Sequence, residues 1–288
     1  MAWVNAVIQG VLVGGLYALL ATGLSLVFGV MRLVNLAHGD LAILSAYLAA
    51  VLVEHTGMST WLALVVVVLV MAAAGFVLQM AALNYTLDSG LAPLLATFGL
   101  AVIIQNALQE GFTANVKGLD AGAVGARSIR INSQISVGWL PLITFATAVA
   151  LLGGLQVMIH HTSLGRAFRA TSDDQRAAQL VGIDNRRLYG IAMAISLATA
   201  AIAGIFVGMR TTFDPFAGPV RLIFAFEAVI IGGLGSLWGT LAGGIVLGVA
   251  QGVGDQINPG WGVLAGHLVF LCVLVLRPSG LLGRPGRE

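Results

Sequence analysis

Residues 163–184, SLGRAFRATSDDQRAAQLVGID, decide how this chain has to be read. Arg166, Arg169, Asp173, Asp174, Arg176 and Asp184 lie within this stretch, Arg186 and Arg187 follow, and the sequence on either side is apolar. Charge on that scale needs water, so the stretch is a hydrated loop between membrane-embedded segments. It also carries helix signals of its own. Ser172 followed by Gln175 fits a capping box, and Asp173 and Asp174 suit the positive N-terminal end of a helix. These predict a short helix over about residues 173–181, ended by Gly182, with Asp184 capping the helix after it.

Composition agrees. Of 288 residues, 58% are hydrophobic and 9% charged, whereas a soluble domain carries about 25% charge. So few charges cannot clothe a water-facing surface, and lipid must be the solvent. The net charge of +2 implies no polyanionic partner, and no basic face interleaved with aromatics argues for nucleic acid. Cys272 stands alone in an apolar run and reads as a small buried apolar residue.

Outward from the island, apolar segments recur at membrane-spanning length. On the N-terminal side they cover about residues 4–30, 41–53, 61–83, 91–108 and 139–159. No Lys or Arg precedes the first, which therefore reads as a retained span rather than a cleaved leader. On the C-terminal side they cover about residues 188–207, 222–234, 238–253 and 263–276, with a turn at Asn258, Pro259 and Gly260. The expected fold is all-α: a polytopic membrane protein of about eight transmembrane helices in two halves, some of them broken. One membrane domain spans 1–288, with halves 1–162 and 188–288 joined by residues 163–187.

Five arginines between 166 and 187 make this the most basic short loop, which places it in the cytoplasm. Arg32 lies four spans before it, and Arg277, Arg284 and Arg287 four spans after, so all share its side and the N-terminus is outside. Lys117, Arg127 and Arg130 then lie outside, spread over the longer polar stretch 110–137.

Few residues could carry chemistry. Asn35, His38 and Asp40 interrupt the apolar pattern after the first span; they read either as an interfacial loop or as a broken helix lining a water-filled path. Glu227 sits inside an apolar segment and must meet water, an inter-helix partner or another subunit. The run GGLGSLWGTLAGG, residues 232–244, lacks the spacing of a nucleotide loop and reads as close helix packing, continued by Gly248. No Walker A motif, metal-ligand set or nucleophile–base arrangement occurs, so the chain predicts no enzyme and no cofactor.

Three stretches in order, GLSLVFGVMRLVNLAHGD (23–40), ATSDDQRAAQLVGIDNRRLYGIAMAISLATAAIAG (170–204) and IIGGLGSLWGTLAGGIVLG (230–248), resemble the LivH-type permease subunits of branched-chain amino acid ABC importers. The resemblance implies a bacterial inner-membrane permease paired with a second, related permease, two cytoplasmic ATPase subunits and a periplasmic solute-binding protein. It implies that residues 163–187 dock on the ATPase, with Arg169, Asp173, Arg176, Ala177, Gly182 and Ile183 as the docking set. It implies alternating access along a path near Asn35, His38, Asp40 and Glu227, for branched-chain amino acids or a related small solute such as urea or a short amide. The alternative is an ion-coupled secondary transporter, in which Glu227, Asp40 and His38 form a proton relay.

Overall fold

A computed structural model describes residues 2–87, 90–113, 115–132 and 135–282. In order it contains α1 (Ala2–Met31), α2 (His38–Thr56), α3 (Thr60–Ala81), α4 (Ala92–Phe112) and the single-turn α5 (Ala123–Ala126). A two-stranded antiparallel hairpin follows, β1 (Ser128–Asn132) and β2 (Ile135–Gly138). Then come α6 (Trp139–His161), α7 (Ser163–Asp173), α8 (Gln175–Leu180), α9 (Asn185–Arg210), α10 (Gly218–Gly232), α11 (Leu237–Ile257) and α12 (Gly262–Leu276). Helices prevail because a segment in hydrocarbon must satisfy its backbone polar groups internally. Every apolar segment read from the sequence is a helix. Among the described residues, seven helices are long and apolar enough to cross a membrane. α10 and α12 have 15 residues each, about 22 Å of helix, which falls short of a full crossing.

α1 carries no charged side chain, and it forms the axis together with α9. Their apolar windows are 83% and 72% buried, against 22% for those of α3, α4 and α6. The outer helices turn Leu69, Phe98, Ile103, Val157 and Val275 outward, an apolar rim that lipid would solvate. Cys272 lies on that rim: it is exposed on α12, not buried as expected.

Glycine sets how α1 meets α11. A Cβ on Gly14 would come within 2.6 Å of the Gly244 carbonyl, and one on Gly10 within 2.7 Å of the Gly248 carbonyl. The two helices touch backbone to backbone, as the small-residue reading of 232–248 requires.

Two ends of the bundle can be told apart. Gly29, near the end of α1, lies against Gly235, and the Leu281 and Leu282 amides donate to Ile231 and Gly232. α7 packs on α1. Arg32, the island and residues 277–282 therefore gather at one end. Lys117 bridges to Phe213 and pairs with Glu54 at 2.8 Å, and Gln9 reaches Ser136, at the other. That grouping agrees with the parity of the charges; Arg284 and Arg287 lie outside the described residues. The halves 1–162 and 188–288 interleave, since α1, α2 and α3 all pack on α9.

Candidate functional site

The break between α1 and α2 is built from Asn35, His38 and Asp40. α1 ends at Met31, and Arg32 reverses the chain at a φ of 53°, a left-handed conformation rare outside glycine. The chain then runs back along α1, so that His38 Nε2 lies 2.8 Å from the Leu20 carbonyl. Leu20 is about 16 Å up the helix from Met31, at 1.5 Å per residue. α2 thus begins far inside the bundle, and its 19 residues make it longer than the apolar run 41–53 suggested. Of the two readings open in the sequence, the broken segment describes the geometry.

Non-helical backbone at this depth needs partners, and the polar side chains supply them. Asn35 Oδ1 accepts from the Ala37 amide at 3.0 Å, and the Leu36 amide donates to Thr97 Oγ1 on α4 at 3.2 Å. Asp40 Oδ1 accepts from Gln105 Nε2 on α4 at 2.9 Å. Asp40 also packs against Gly218, the first residue of α10, where only a glycine leaves room for its carboxylate. One negative charge therefore faces the first turns of α2 and α10, both positive helix ends. Asn35, His38 and Asp40 are 1–2% exposed.

Glu227 belongs to a separate cluster. It is buried on α10 and paired with His267 Nδ1 on α12, whose ring stacks on Phe224 at 6.2 Å. Phe224 meets Tyr17 at 5.0 Å, and the Tyr17 hydroxyl donates to Gln251 Oε1 on α11 at 2.5 Å. Among the described residues no hydrogen bond joins Glu227 to His38 or Asp40.

The island holds two helices rather than one. Thr162 caps α7 through the Gly165 amide at 3.1 Å, and α7 buries Phe168. The capping box at Ser172 does not form, because α7 still continues through that residue. Asp174 is the cap instead: its Oδ1 accepts from the Arg176 and Ala177 amides at 2.8 and 3.0 Å. Those bonds, the one from Ala177 foremost, hold its carboxyl below the usual carboxylate range. Gly182, at a φ of 88°, ends α8, and Asp184 caps α9 through the Arg187 amide, both as expected.

Of the expected docking residues, Asp173, Arg176, Ala177 and Gly182 are exposed. Arg169 instead donates back to the Ile159 carbonyl, and Ile183 packs on the core, so both hold the island in place. Sequence reasoning passed over Leu180 and Val181, which are 89% and 77% exposed at the tip. Their signal was two aliphatic residues standing just before the glycine that ends the helix.

The comparisons with known proteins concern nearly the whole chain. BraD of Pseudomonas aeruginosa, a high-affinity branched-chain amino acid transport system permease protein, is 28% identical over 300 residues, covering 99% of this chain and 97% of BraD. LivH of Salmonella typhimurium, with the same description, is 29% identical over 299 residues, covering 97% of this chain and 95% of LivH. LivM of Escherichia coli, also a permease protein of that system, is 28% identical over 293 residues, covering 93% of this chain and 68% of LivM. The family model for the permease component of branched-chain amino acid transport systems matches residues 6–276, and this multi-pass membrane chain belongs to that family.

Proposed function

We propose that the chain is one of two related permease subunits of a bacterial inner-membrane importer, moving a branched-chain amino acid inward by alternating access. Two cytoplasmic ATPases drive it through residues 163–187, and a periplasmic binding protein delivers the solute by docking on the outer loops, around 112–137 and 210–221. The observation that carries this reading is the island itself. α7 and α8 are short, each is capped, and they present Leu180 and Val181 at a water-facing tip. Exposed aliphatic side chains there favour a protein partner. Asp173, Arg176, Ala177 and Gly182 form the rim of the docking surface, while Arg169 and Ile183 transmit its movement to α6 and the core. LivM, similar to this chain yet longer, supports a related second permease.

The path runs beside the α1–α2 break, with Asn35, His38 and Asp40 holding the non-helical segment and Glu227 on the neighbouring α10. Weak binding along it suits transit, since a solute must also leave. Among the described residues no direct hydrogen bond links Glu227 to His38 or Asp40, so the packing lends the ion-coupled alternative no support.

The test is charge insertion at the tip. Leu180→Asp with Val181→Asp, in the complete importer, should abolish ATP-driven leucine uptake and release the ATPases during purification. The permease should keep its yield and thermal stability, because neither side chain packs on the core. ATPase co-purification and uptake at wild-type levels would refute the docking assignment.

A further inference from the structure

Two arginines at the end of the bundle opposite the island are only partly satisfied among the described residues. Arg210 closes α9 and Arg221 lies in the first turn of α10. Both are part-buried, and Arg210 Nη1 and Arg221 Nε are buried without a hydrogen bond. Arg221 Nη2 reaches Thr211 Oγ1 at 3.3 Å, the residue after Arg210. Neither guanidinium forms an ion pair among the described residues. Asp214, the nearest acid in the loop between them, turns its Oδ1 to the Phe216 amide at 2.8 Å.

The position makes this costly. A cation at the C-terminal end of α9 suits the helix dipole, but a second cation in the first turn of α10 opposes it. Both guanidinium groups are part-buried, and the hydrogen bonds that Arg210 Nη1 and Arg221 Nε leave unmade are costly. Asp40 faces the start of α10 from α2, yet it is not paired with either arginine. An oxyanion between the two groups would answer all of these at once. Guanidinium matches a carboxylate in two-pronged geometry. Tyr17, inward of both, lies within electrostatic reach of each and leads towards Phe224 and Glu227.

We propose that Arg210 and Arg221 form a carboxylate-binding site at the outer mouth, which receives the transported solute by its carboxylate. The inference rests on the importer reading above and narrows it: a neutral solute such as urea or a short amide has no group for this site.

The full chain in nanodiscs is treated with phenylglyoxal, and arginine modification is read by mass spectrometry. Leucine and 4-methylpentanoate, at matched ionic strength, should slow modification of Arg210 and Arg221 several-fold. Leucinamide should not, and the exposed Arg186 and Arg187 should react alike throughout. Equal protection by leucinamide, or none by either carboxylate, overturns the site. Equal protection by inorganic phosphate marks a general anion or lipid-phosphate site and overturns it too. In the complete importer, Arg210→Gln and Arg221→Gln should each raise the leucine concentration for half-maximal uptake about tenfold, the loss of one charge-assisted hydrogen bond. Arg221→Lys, which keeps the charge, should recover part of that. Wild-type uptake by both Gln variants refutes the site and leaves the importer reading intact. No ATP-driven leucine uptake by the wild-type importer would instead refute the importer reading, whatever the labelling shows.

Discussion

The α1–α11 crossing offers the sharpest test of the packing. Replacing Gly14 by Ala places a Cβ 2.6 Å from the Gly244 carbonyl oxygen and 2.6 Å from Ile245 Cα. Carbon prefers neighbours at about 3.5 Å or more, so the helices must part by about 1 Å. Both obstacles are backbone and cannot turn aside. Overpacking of this kind costs about 1–3 kcal/mol, and alanine's helix preference over glycine returns about 1 kcal/mol at most. With two backbone atoms at 2.6 Å the overpacking falls at the upper end of that range, and the expected net loss is about 2 kcal/mol. Gly153→Ala on α6 is the control, because nothing lies within 4 Å of its added Cβ; it should be neutral or slightly stabilising. Gly14→Ala combined with Gly244→Ala should cost less than the sum of the two, since one separation relieves both clashes. Unfolding by added denaturing detergent in mixed micelles measures all of these. A Gly14→Ala protein as stable as wild type, or a Gly153→Ala protein equally damaged, would refute the backbone-contact account.

His267→Ala should leave the buried Glu227 carboxyl without its partner and cost about 1–3 kcal/mol, the effect of an unsatisfied buried group, towards the low end because His267 is 38% exposed; adding Glu227→Gln should restore much of it, as the same unfolding assay would show. Asp174 caps α8 as a carboxylate, and its folded pKa lies below the ordinary 3.8. Its contribution is therefore complete above pH 3.8 and lost as the pH falls through the lowered value, so protection of the Arg176 and Ala177 amides should decline there in hydrogen exchange. Asp174→Asn should remove that pH dependence while keeping part of the cap. Lys117 and Glu54 are 23% and 53% exposed; reversing both charges should change stability by under about 1 kcal/mol, with even that difference fading at high salt.

Hydropathy made the spans legible because burial in lipid depends on composition over a whole turn-rich segment, not on any one residue. What it could not register is where α2 starts. Asn35, His38 and Asp40 mark the break in the pattern, but an interfacial loop and a buried break look alike there, and only His38 against Leu20 reveals the depth. The island misled in a different way. Ser172 and Asp174 are both good caps two residues apart, and the choice fell to Asp174 because Phe168 and Thr171, buried against the rest of the chain, keep α7 going. The pair Glu227–His267 joins residues 40 apart through the packing of α10 on α12, and Arg221 reaches Thr211, beside Arg210, across a loop. Neither juxtaposition exists until the helices are assembled.

The returning segment after Arg32 acts as a tether of fixed length. Seven virtual bonds from Met31 to His38 reach at most about 25 Å. They already bridge about 16 Å along α1 and a helix-to-helix spacing of about 9 Å, roughly 19 Å in all. A few ångströms of slack remain. Sliding α2 along α1 by a full turn of about 5.4 Å would stretch the segment to roughly 23 Å, close to its limit, and would straighten the turn in which Asn35 Oδ1 accepts from the Ala37 amide. The tether thereby limits any slide of α2 to about one helical turn, while leaving tilting about His38 unrestricted.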